Sequence, residues 1–199
     1  MHLIITNQIA EIISVSDKTS FLIGGIAPDA VSPKELSHFF IGDVNNYTRS
    51  IDFDGFLNKY SSIKNDQFIL GYYTHLIADD IWLKGFYLPW LKNRMESDNS
   101  IFNLYHDDFR LLNGKLLEHY GVKRELIEVL NQNGAISDLQ EVTIKEINDF
   151  IPHVLGDMIY EPGIIDHKLN VFTFEQIIGY IETSITKSIM HLNPLLNRS

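Results

Sequence analysis

Apolar residues recur at spacings of three and four through most of this chain, as in Leu3, Ile4, Ile9, Ile12 and Ile13 or Leu126, Ile127, Val129 and Leu130. That period lines one stripe of a helix, whereas a strand repeats every two residues, and long alternating runs are absent. The expected fold is therefore all-α. Several helix starts carry caps: Ser32-Pro33-Lys34-Glu35, Thr143-Ile144-Lys145-Glu146 and Thr173-Phe174-Glu175-Gln176 each place a hydroxyl before a first turn and a carboxylate or amide three residues on. The pattern predicts helices at about 2–14, 33–41, 52–60, 66–92, 100–120, 122–132, 143–156 and 173–192. The expectation is a single-domain helical bundle of roughly eight helices spanning residues 1–199. Gly24-Gly25-Ile26-Ala27-Pro28-Asp29 reads as a non-helical loop, because proline pushes the preceding residue towards extended geometry and glycine frees the backbone.

A chain of 199 residues that is 45% hydrophobic can bury one sizeable core. Sixteen Lys+Arg against 26 Asp+Glu give a formal charge of -10, which argues against diffuse attraction to nucleic acid or to an anionic bilayer. No stable nucleic-acid complex is expected. Cysteine is absent, which excludes a disulfide framework, a thiolate-held zinc and a thiol nucleophile, so any metal must be held by histidine and carboxylate. The amino-terminal stretch has no basic region and meets Glu11 early, unlike a secretory signal. The uncharged stretch from Gln67 to Ala78 is shorter than the roughly 20 apolar residues that span a bilayer. The expectation is a cytoplasmic protein without a transmembrane segment.

The densest chemical signal is Gly71-Tyr72-Tyr73-Thr74-His75-Leu76-Ile77-Ala78-Asp79-Asp80-Ile81-Trp82. His75 and Asp79, four apart on a helix, project from one face and can converge on one cation. The rest of that helix is apolar, and a buried carboxylate without a partner is costly; a metal would satisfy it, as would an ordinary hydrogen-bonded pair. Asp80 points about 100° away from Asp79, as a solvated residue or one that orients a ligand. Asp29, in the Ala27-Pro28-Asp29-Ala30 loop, and His38, in Leu36-Ser37-His38-Phe39-Phe40, are further candidates, with turn capping and core packing as the plainer alternatives. Together Asp29, His38, His75 and Asp79 form an all N/O donor set that suits Zn²⁺ and would also accept Mn²⁺ or Fe²⁺.

These segments, Phe21-Leu22-Ile23-Gly24-Gly25-Ile26-Ala27-Pro28-Asp29-Ala30, Ser37-His38-Phe39 and the His75-containing helix, resemble the bacterial zinc-dependent phospholipase C family. More distantly they are similar to zinc-dependent single-strand nucleases. The likeness covers roughly the first 85 residues, and the rest only as a helical pattern. The resemblance implies that Asp29, His38 and His75 bind one zinc, that Asp79 bridges to another, and that His2 supplies a ligand from an amino-terminal helix. The family's later zinc ligands have no clean match: His106 and His119 are the nearest material, and Lys123 stands four residues after His119. One or two ions are therefore expected, with His2 and His106 as the weaker metal candidates.

The implied activity is hydrolysis of a phosphodiester by a metal-bound hydroxide, with Asp29 and Asp79 in catalytic roles and a small phosphoester or phospholipid head group as substrate. Two rival readings remain at this point. His106-Asp107 resembles the vicinal dyad of helical His-Asp metal phosphohydrolases acting on nucleotides, and the fold would also serve a non-catalytic binding protein.

Overall fold

The computed structural model describes residues 1–196 and is all-α apart from one two-stranded ribbon. Helix α1 (His2–Ile12) turns Leu3, Ile4, Ile5 and Ile9 inward. Helix α2 (Lys18–Gly24) starts at Asp17, whose carboxylate accepts the Ser20 N–H at 3.0 Å and so satisfies one of the unpaired donors of the first turn. A 3₁₀ turn, Ala27–Ala30, comes next with Pro28 in its first turn, where the missing N–H costs nothing.

Helix α2 is not among the expected helices, and it reaches only the first residue of the expected loop at residues 24–29, where this turn then follows. A Cβ on Gly24 would lie 2.1 Å from the Phe68 carbonyl oxygen, and one on Gly71 would lie 1.9 Å from that of Phe21. These glycines serve the contact of α2 with α4 (Gln67–Trp82), two helices packed backbone to backbone.

The helix expected at 33–41 is also absent. The chain makes turns there, closing one helical turn through His38 N–H to the Lys34 carbonyl at 3.0 Å before Phe39 adopts φ 50°. A single turn gains too few hydrogen bonds to propagate. Glu35, expected to cap that helix, faces Arg49 instead, at 3.8 Å. Strand β1 (Phe40–Ile41) then pairs antiparallel with β2 (Ser50–Ile51), Phe40 opposite Ile51.

Helix α3 (Phe53–Lys59) is capped by Asp52 and packs on α4, itself capped by Asp66. Helix α4 is apolar on every side and buried over most of its length. It runs without a break through a π-helical segment, Leu83–Leu91, into α5 (Lys92–Ser97). Asp80 is neither solvated nor bonded to a candidate ligand: it is buried, accepts the Ile51 N–H at 3.3 Å and pairs with Lys84 at 2.6 Å, tying β2 to α4.

The second half matches the expected pattern. Helix α6 (Ser100–Tyr120) ends at Gly121, whose φ of 65° suits glycine. Helices α7 (Lys123–Leu130), α8 (Ile144–Gly156) and α9 (Phe174–Leu196) complete the bundle, α8 behind the Thr143/Glu146 capping box and α9 behind the reciprocal Thr173/Gln176 pair. Helix α9 lies against α4 and α1, so one contiguous core joins both halves. Asp108 of α6 is fully buried and accepts the N–H groups of Asn170, Val171 and Phe172 at 2.7 to 3.1 Å, fastening the segment before α9. No helix among the described residues is long and apolar enough to cross a membrane.

Candidate metal centre

Five side chains meet where the first turn of α1, the 3₁₀ turn, the turns before β1 and the middle of α4 come together. The His38 Nε2 lies 3.1 Å from Asp79 Oδ2 and 3.5 Å from Asp29 Oδ1. The His75 Nε2 lies 3.4 Å from the same Asp79 oxygen and 3.3 Å from His38 Nε2. His2 stacks on His75, centroids 3.7 Å apart, and brings its Nε2 within 3.0 Å of Asp79 Oδ1. Two triads, His2/His75/Asp79 and Asp29/His38/His75, have donor atoms close enough to share an ion. The structure thus brings together Asp29, His38, His75, Asp79 and His2.

The outer nitrogens of the two buried imidazoles are already engaged. The Nδ1 of His75 lies 2.8 Å from the Gly25 carbonyl oxygen, to which only a protonated nitrogen can donate, so in the neutral ring the Nε2 lone pair points into the cluster. The Ser37 hydroxyl donates to the Lys34 carbonyl at 3.2 Å and accepts from His38 Nδ1 at 2.9 Å, which directs the His38 Nε2 the same way. Tyr72 donates to the Ser37 carbonyl at 2.6 Å and steadies that turn from α4. Two imidazole lone pairs and two carboxylates therefore converge, a set of acceptors that only a cation or protons can reconcile.

The electrostatics reflect that crowding. Burial pushes the Asp29 carboxyl up, but His75, His38, His2 and Lys34 together hold it well below the usual carboxylate range. Asp79 is likewise held far down, against burial, by His2, His75 and His38. Burial opposes a charge on His38, yet its bonds to Asp29 and Asp79 raise it to about 9, while burial and the neighbouring His75 push His2 down to about 4. His2 then donates through Nε2, and its Nδ1 is buried without a partner among the described residues. The acceptor-only set fits a divalent ion bound by imidazole and carboxylate.

The centre opens into a cleft of about 620 Å³. Its lining includes Lys34, in contact with Asp29, and Arg49, together with the aromatic residues Trp82, Tyr105 and Phe109. His106 lines this cleft from α6, but it is exposed against Phe102 and Tyr105 and belongs to neither triad. Asp107 pairs outward with Arg110 at 2.7 Å. His119, His153 and His167 are exposed, and His191 packs against Phe53 and the Tyr73 hydroxyl.

The orienting partners Gly25 and Ser37 escape sequence reasoning; the Ser37-His38 adjacency was the one signal available for either. Lys34 and Arg49 carried no signal distinguishing them from surface cations. Comparison with family models, with curated proteins and with solved structures finds no match.

Proposed function

We propose that this protein is a metal-dependent phosphoester hydrolase acting on phosphodiesters, with zinc held by Asp29, His38, His75, Asp79 and His2. The observation that carries this reading is the acceptor-only convergence at an open cleft: His38 and His75 face one another at 3.3 Å with Asp79 between them and Asp29 alongside. When bound, a divalent ion lowers the pKa of water towards about 7 and offsets the negative charge that builds on a phosphoryl oxygen. Gly25 and Ser37 fix the two imidazoles, so little reorganisation is needed on binding. In this reading Asp29, partly open to the cleft, accepts a proton from an attacking water. The cleft has the size of a small-molecule pocket, in keeping with a small phosphoester or a single head group.

Metal content of protein purified without added ions, joined to a screen of chromogenic phosphodiesters, tests the reading. Expected are at least one zinc, manganese or iron ion per chain and turnover that a chelator abolishes and zinc restores. Substoichiometric metal with no turnover would overturn it in favour of a binding protein.

A further inference from the structure

Arg49 is unusual among the cations lining the cleft. Its side chain is only 20% exposed, its guanidinium lies 4.2 Å from the Phe40 ring centroid, and Phe40 in turn stacks on the candidate ligand His38 at 5.5 Å and 13°. The ion pair it makes, with the largely exposed Glu35, spans 3.8 Å and is too long for a hydrogen bond. Among the described residues the guanidinium makes no hydrogen bond, although it carries five N–H donors. A cation taken this far out of water is ordinarily paired. Here the unused donors border the cleft that also holds Asp29, Asp79 and Lys34.

The same cleft is also lined by Trp82, which stands edge-on to Phe109 at 5.6 Å and to Tyr180 at 5.1 Å, and by Tyr105, which packs against Trp82 and Phe109. These rings offer apolar and π surface with no carboxylate of their own.

Building on the phosphoesterase reading, we propose that Arg49, assisted by Lys34, is an anion fork that grips phosphoryl oxygens of the substrate, and that the aromatic wall takes a ring on its organic group. The substrate class is then a phosphoester bearing a planar ring. A guanidinium seated over Phe40 carries two parallel N–H groups, the arrangement that matches a phosphoryl group bidentately, while the compact charge of Lys34 adds attraction without that geometry.

The test is calorimetric titration of zinc-loaded protein with phenylphosphonate and methylphosphonate, with metal content measured on every sample. Arg49→Met keeps a side chain to cover Phe40, and should bind phenylphosphonate about tenfold or more weakly with full metal content, the loss expected for charge-assisted bonds. Arg49→Lys, which keeps the charge without the fork, should fall between the two and guards against misfolding of the first variant. Methylphosphonate should bind wild-type protein about fivefold or more weakly than phenylphosphonate. Unchanged phenylphosphonate affinity in Arg49→Met, or no saturable binding to wild-type protein, would overturn the fork; equal affinity for the two ligands would overturn the ring site. Arg49-dependent binding to a chain that takes up no zinc would instead sink the hydrolase reading and leave the fork standing.

Discussion

His75 is fully buried, and a buried imidazole must spend both nitrogens. One goes to the Gly25 carbonyl, so the other is committed to the cluster. His75→Ala and Asp79→Ala should each lose bound metal and phosphodiester turnover by at least about a hundredfold while keeping most helical circular dichroism, because the metal contacts vanish and the apolar flanks of α4 remain. Full metal occupancy in both variants would remove the proposed centre. His106→Ala should cost less than about threefold in turnover, since that ring lines the cleft but lies outside both triads. A complete loss would restore the vicinal-dyad reading. At this scale, residue type and spacing made Asp29, His38, His75 and Asp79 legible as candidates. His2 was harder, because nothing in a helix start says what it will face. Lys34 and Arg49 were silent, because their meaning lies in the neighbours that folding supplies.

Among the elements, the crossing of α2 and α4 is the most demanding, since Gly24 and Gly71 meet opposing backbone rather than flexible side chains. Gly71→Ala should destabilise the fold by about 3 kcal/mol, at the upper end of overpacking costs, and should weaken metal binding as well by shifting the Gly25 carbonyl away from His75. Chemical denaturation and metal titration of the same variant check both halves. The Asp17 cap is a milder case. Although burial works the other way, hydrogen bonds from the Ser20 hydroxyl and N–H hold the Asp17 carboxyl below its ordinary range. A lowered folded-state pKa gives stability that is present above the unfolded carboxylate range and lost as pH falls through the folded value. Asp17→Ala should therefore cost about 1 kcal/mol at neutral pH, with the gap to wild type closing in acid. Long helices were readable because many periodic residues vote together. The 33–41 segment misled because its capping residues are genuine turn formers, and the growth of a turn into a helix depends on the residues beyond it: here Phe39 at positive φ and a strand pairing with residues 50–51.

For the molecule as a whole, a bound ion would add a further link among α1, the two turns and α4, elements already joined by packing and by a few polar contacts such as His2 with Asp79 and Tyr72 with Ser37. Stripping the metal should lower the melting temperature by roughly 10 °C if the ion is present at about a thousand times its dissociation constant, which corresponds to about 4 kcal/mol for a chain of this size. An unchanged melting curve after chelation, with metal removal verified, would contradict that linkage. The net charge of -10 is read differently in this light, because Asp29 and Asp79 belong to the centre and not to the solvated surface. All five candidate ligands lie between His2 and Asp79, whereas α6 and α9 contribute only lining residues of the cleft, such as Tyr105, Phe109 and Tyr180. A growing chain therefore carries all five candidate ligands while most of it is still to be made, so under the proposed function the donors for an ion are synthesised well before α9, the helix that packs on α1 and α4.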